Sequence, residues 1–285
     1  MQSAASLLWL FEVGVASLLG GVIGSISGLG GGIVIVPVLT LLMHIPIQQA
    51  IGASIISVIA VSSGAGSVYL KDHVTNVRIA MFLELSTATG AIVGAALLAP
   101  YISPAALSIL FGVTLLLSLI PILANIGEEL PEGVRNDGLA AKLRLNGFYF
   151  DKRLGRDVYY QVTGIPPSMG IMFLAGIISG LLGIGAGVLK VLAHEICMKV
   201  PTKVSTATSN FMIGVTAASA AGVYLHSGLV LSYLVAPVAA AVLVGAIIGT
   251  KLMERMSNAS IRKVFAVALG VIGVEMLLKG LGLNF

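Results

Sequence analysis

Charged side chains are scarce in this chain. Only 10% of its 285 residues are Asp, Glu, Lys or Arg, against 57% hydrophobic, and the mean hydropathy is +1.04. A soluble globule of that length needs far more polar surface, so the composition excludes one and points to an integral membrane protein. Cysteine is almost missing: the lone Cys197 allows no intramolecular disulfide and no Cys-rich metal site, and it suits a small apolar helix position. No HExxH pair occurs, which leaves an intramembrane metalloprotease without ligands. No cofactor is implied. No Lys or Arg precedes Lys71, so the apolar run at 7–26 lacks the basic flank of a cleaved signal peptide and is expected to stay as structure. The net charge of +4 comes without a basic tail or interleaved aromatics. The partner it implies is a lipid bilayer, not nucleic acid.

Glycine, by contrast, is abundant and clusters twice. Gly28, Gly30, Gly31 and Gly32 near the start are answered by Gly183, Gly185 and Gly187 at an offset of 155 residues. The same offset pairs Pro46 with Pro201, Ser54 with Ser209, Tyr69 with Tyr224, Gly90 with Gly245 and Gly94 with Gly249. Apolar composition alone does not match Pro and Tyr at one spacing, so the chain reads as an internal duplication. A first membrane repeat covers 1–124, a cytoplasmic loop 125–165 and a second membrane repeat 166–285. Apolar segments lie near 6–27, 33–43, 47–70, 77–99 and 104–124, then near 167–182, 187–198, 202–225, 229–252 and 260–282. The long ones suit a bilayer core. The second of each half does not: a helix over 33–43 reaches about 17 Å at 1.5 Å per residue, against a core about 30 Å thick. Pro46 and Pro201 mark where the next helix begins. Each glycine cluster is therefore expected at the tip of a hairpin that dips into the membrane and returns.

Lys and Arg fall in the connections 71–78, 125–165, 199–203 and 251–263, whereas 44–49, 100–103 and 226–232 have none. Cytoplasmic basic connections place both termini outside. A returning hairpin makes no net crossing, so three spans remain per half and the second copy is inverted. The fold class expected is an all-α membrane protein built as an inverted repeat with two re-entrant hairpins, in which both glycine tips approach the midplane. Secondary transporters build sites that way, since irregular backbone at that depth must be buried or line a cavity. The amide groups after each tip favour an anion. Tight helix packing by small residues is the alternative reading of the glycines.

Lys190, three residues past Gly187, is a costly charge in the first turn of the second short segment. It is expected to contact an anionic substrate, with snorkelling or a pair with Glu195 as alternatives. Of the polar stripe after each proline, Ser54, Thr208, Ser209 and Asn210 are carried into the substrate site, although most membrane Ser and Thr bond only to their own backbone. Glu84 in an apolar helix is read as a proton-coupling residue, or else as a partner for Lys190. His194 shares the Lys190 face. Glu275 and Lys279 are spaced to pair locally. In the loop, 143–150 and 158–162 are rich in aromatic and branched residues and predict a small cytoplasmic β-hairpin.

The stretches GSISGLGGGIVIVPVLT and IPIQQAIGAS, their weaker copies GLLGIGAGVLKVL and VPTKVSTATSN, and LRLNGFYFDKRLG in the loop resemble the sulfite exporter TauE/SafE family of membrane permeases over nearly the whole chain. The resemblance implies secondary transport of sulfur oxyanions such as sulfite, or of small organosulfonates, in a bacterial-type inner membrane. Ala186, which interrupts the second glycine run, and Lys190, where an apolar residue is usual, depart from that pattern. Two other classes share parts of the pattern. An anion channel also uses glycine-rich hairpins, and an intramembrane serine hydrolase would use Ser27, although Ser25 stands where its glycine should and no His is placed as base.

Overall fold

In lipid every backbone polar group must be satisfied within the chain, so the long apolar runs become helices. The computed structural model describes residues 2–27, 31–123, 130–131, 133–151, 154–253 and 258–283. The first half holds α1 (Gln2–Ser27), the short α2 (Gly32–Pro37), α3 (Ile47–Lys71), α4 (Val77–Ile92) and α5 (Pro104–Leu123). A short α6 (Gly138–Lys142) and the strands β1 (Gly147–Asp151) and β2 (Arg156–Tyr160) follow. The second half runs through α7 (Ile165–Leu182), the short α8 (Gly187–Leu192), α9 (Thr202–His226), α10 (Ser232–Met253) and α11 (Asn258–Gly280). Among the described residues, four stretches are long and apolar enough to cross a membrane: Ile47–Lys71, Val77–Tyr101, Ile165–Leu182 and Ser232–Gly249. Trp9–Ser25 and Pro104–Ile120 are apolar but shorter. This is a multi-pass membrane protein.

The two short helices end alike. Each passes into a π-helical turn, Val38–Leu42 after α2 and Ala193–Cys197 after α8. The amide of Met43 then reaches the Val38 carbonyl at 3.3 Å and that of Met198 the Ala193 carbonyl at 3.1 Å. His44 and Lys199 follow, each at φ 54°, a left-handed conformation uncommon outside glycine. Pro46 and Pro201 close the stop, and α3 and α9 start after them. The wide π turn was not expected from the sequence, because it is set by which carbonyl an amide finds rather than by a residue type.

Close helix crossings recur at the offset of the duplication. A Cβ at Gly21 of α1 would collide with the Val242 carbonyl of α10, and one at Gly176 of α7 with the Thr87 carbonyl of α4. Gly90 likewise meets the Phe173 carbonyl while Gly245 meets that of Leu18, and Gly94 meets Ile177 while Gly249 meets Val22. Every one of these pairs maps onto the other by 155 residues. Small residues let the backbones approach this closely.

On the loop side, β1 and β2 pair antiparallel with Gly147 opposite Tyr160 and Asp151 opposite Arg156. The hairpin is present but shifted from the stretches expected. Asp151 shortens the turn by accepting at its carbonyl from the Gly155 amide at 2.8 Å and at its carboxylate from the Leu154 amide at 3.2 Å. Glycine at 155 permits the φ of +63° that closes it. The hairpin clasps both halves. Lys203 at the start of α9 grips the Asp151 carboxylate at 2.8 and 2.9 Å, while Arg78 of α4 donates to the Arg144 carbonyl at 3.0 Å. Asn76 caps α4 by accepting from the Ile79 amide and also donates to the Leu145 carbonyl and the Tyr160 hydroxyl, both at 2.8 Å. Burial pushes that hydroxyl up to about 12, so it stays neutral beside the amide. Three of the four basic connections thus meet at one end of the molecule.

The crossings generate a test. Gly176→Ala and Gly90→Ala are expected to lower the melting temperature of the purified protein, at a cost of roughly 1–3 kcal/mol for overpacking. Gly222→Ala, where nothing lies within 4 Å of the added methyl, is expected to leave it unchanged or slightly raised.

Candidate functional site

The two glycine clusters touch. A Cβ at Gly32 would lie 2.5 Å from the Gly183 carbonyl oxygen, 2.6 Å from Ser54 Oγ and 3.0 Å from Ile184 Cα. Ser54 of α3 seals the contact by donating to the Gly183 carbonyl at 2.8 Å. The turn from α7 into α8 needs its glycines: Gly183 sits at φ +66° and Gly185 at +71°, where a side chain would be strained. Ala186 accepts the same left-handed conformation at φ 48° despite its methyl. Gly31 is different, with a right-handed φ of −64°. Its need is room, since a Cβ there would press on Ile35 Cδ1 at 3.2 Å and Val61 Cγ2 at 3.3 Å. Gly28 and Gly30 lie outside the described residues, as does the side chain of Ser27.

The matched serines serve the two clusters in different ways. Ser209 donates to the Gly187 carbonyl at 3.3 Å, within its own half, whereas Ser54 reaches across to the other. The α3–α9 crossing is held by Ser62, which donates to the Asn210 carbonyl and accepts from the Gly214 amide at 3.0 Å. The Asn210 side chain bonds back to the Thr206 carbonyl at 3.2 Å. Thr208 is turned elsewhere: its hydroxyl accepts from the Asn76 amide at 3.0 Å, at the loop end of the molecule. The structure therefore brings Gly31, Gly32, Ser54, Gly183, Gly185, Gly187 and Ser209 around one centre and does not bring Thr208 to it.

Lys190 is 0% exposed, and its ammonium donates to Thr216 Oγ1 of α9. Thr216 Oγ1 stands in turn against Glu84 Oε1 of α4, and Glu84 Oε2 lies 3.9 Å from Lys190 Nζ. Glu84 thus lies beside Lys190, with Thr216 between them. Among the described residues none gives Glu84 Oε2 a well-formed hydrogen bond, and the fully buried His194, one helical turn beyond Lys190, lies against the Ser205 backbone. Thr216 was missed by sequence reasoning. Its signal was spacing, since it lies two turns from Ser209 on the same face of α9. Lys279 donates to the Thr40 carbonyl in the π turn after α2.

The charged cluster occupies one copy of the repeat only. At the 155-residue offset Lys190, Thr216 and Glu84 correspond to Ile35, Val61 and Ala239. The apolar set is expected to serve structurally in both places. Lys190→Ile alone strands a buried carboxylate, a loss of roughly 3–5 kcal/mol, read as a large drop in melting temperature. The triple variant Lys190→Ile, Thr216→Val, Glu84→Ala is expected to recover most of it. A triple variant as unstable as the single one would show that the fold requires the charges.

Comparison with known proteins agrees with this architecture. The family model described as sulfite exporter TauE/SafE matches residues 13–276. A Bacillus subtilis (strain 168) protein named "Probable membrane transporter protein YunE" is 26% identical over 274 residues, covering 94% of this chain and 97% of its own length. No solved structure matches. With a match over nearly its full length, the chain belongs to the sulfite exporter TauE/SafE family and is a membrane transporter, not an enzyme.

Proposed function

We propose that this transporter moves sulfur oxyanions or small organosulfonates across the plasma membrane by alternating access, with the two glycine tips as the gate and floor of the substrate site. The observation that carries the reading is the backbone contact of Gly32 with Gly183, sealed by Ser54. The meeting of two segments too short to span the core, one from each half, supports a re-entry of both into the membrane. The crossings that repeat at the duplication offset support an inverted repeat, and the gathering of basic connections at one end supports that end as cytoplasmic, with both termini outside. Amide groups entering α2 and α8, the hydroxyls of Ser54 and Ser209, and the ammonium of Lys190 supply donors and positive charge for an oxyanion. Glu84 couples proton movement to the anion.

Reconstituted in liposomes, the protein is expected to give saturable sulfite flux that follows the imposed gradient. Flux that rises linearly without saturation would assign a channel, and no flux of any sulfur anion would reject the substrate class. Gly32→Ala, which wedges the tips apart, is expected to cut flux at least tenfold while the protein remains monodisperse. A cysteine at Gly31 is expected to resist membrane-impermeant thiol reagents or to be protected by substrate; rapid labelling regardless of substrate would place that turn at the surface. Glu84→Gln is expected to flatten the dependence of flux on pH, and an unaltered profile would remove Glu84 from coupling.

A further inference from the structure

Three polar groups form a directed chain in the second half of the site. The Lys190 ammonium donates to the Thr216 hydroxyl, and that hydroxyl stands at 2.5 Å from Glu84 Oε1. A hydroxyl has one proton, and Thr216 is also 3.0 Å from the Met212 carbonyl of its own helix. It donates either to the carboxylate or to the backbone, so the carboxylate can leave without stranding it. The second carboxylate oxygen is held even less: Glu84 Oε2 is buried, without a hydrogen bond, and 3.9 Å from Lys190 Nζ, beyond bonding distance. The carboxylate is thus held chiefly by the charge of Lys190 and the contact with Thr216. The corresponding set in the first half, Ile35 and Val61 packed beside Gly31, shows that this location folds with apolar side chains.

We infer that Glu84 is an internal stand-in for the substrate: its carboxylate occupies, on Lys190 and Thr216, the place that an incoming oxyanion takes, and the two compete for the same donors. The inference rests on the anion-transport reading above and adds Thr216 to the binding residues. A sulfite or sulfonate group offers oxygens to the ammonium and the hydroxyl together, with the charge that the departing carboxylate removes. The ammonium then faces an anionic group whether the site is empty or loaded. Substrate affinity is accordingly set below what the donors alone would give, because binding must first displace a covalently tethered competitor.

The test compares sulfite binding to wild type, Glu84→Gln and Thr216→Val in detergent by calorimetry, with a bulky sulfonate-free anion holding ionic strength constant. Glu84→Gln is expected to bind sulfite at least tenfold more tightly than wild type, and Thr216→Val more weakly. Thermal stability supplies a second readout. Without sulfite Glu84→Gln is expected to melt below wild type, since Lys190 has lost its counter-charge, and sulfite is expected to restore it by a larger shift than it gives wild type. Should Glu84→Gln not purify, Glu84→Asp, whose shorter side chain draws back from Lys190, is measured against the same criterion. Equal or weaker binding by the Glu84 variant, with wild type binding normally, overturns the inference and leaves the anion-transport reading standing. Absence of sulfite binding to wild type defeats the reading on which both rest.

Discussion

Hydrocarbon offers no hydrogen bonds, and the structure follows from the need to supply all of them internally. Straight helices do so along their length, and buried hydroxyls do it by returning to their own helix, as Ser57 does to Ala53 and Thr40 to Val36. The difficulty lies where a helix stops and the chain turns. At the α7–α8 turn the exposed Gly183 carbonyl is taken by Ser54 from the other half, and the glycine at 32 lets the two backbones close over it. The same turn is thus a point at which the two halves depend on each other.

Symmetry amplifies that arrangement. The crossings of α1 with α10 and of α4 with α7 use corresponding glycines against corresponding carbonyls. Such backbone-to-backbone crossings leave few side chains between the helices. The loop hairpin joins the start of α4 to the start of α9 through Asn76, Asp151 and Lys203, and so ties one element of each half at the end where the basic connections meet.

Much of this was legible in the sequence. Pro46 and Pro201 bounded the short segments because proline cannot continue a helix, and the run lengths gave the long helices to within a few residues of Ile47–Lys71 and Thr202–His226. The glycine pairs gave the duplication. What stayed hidden was geometry that no residue type encodes. The π turns arise from amide-to-carbonyl choices, and the strands end and begin around Asp151, whose carboxylate accepts from the Leu154 amide. Thr208 and Asn210 read as site residues by position, yet helix rotation turned the first toward Asn76 and the second back to Thr206. Thr216 read as an ordinary helix threonine; its importance came from what α4 and α8 bring to it.

The asymmetry of the charges sharpens the functional argument. Duplication gives two equivalent locations beside the two glycine turns, and an apolar filling is compatible with the fold at one of them, where Ile35 and Val61 stand. At the other the chain keeps an ammonium, a hydroxyl and a carboxylate that cost several kcal/mol to bury and repay little in stability. A single negatively charged solute needs only one cationic anchor, and a second, symmetric one would double the desolvation cost and bind the solute too tightly to release.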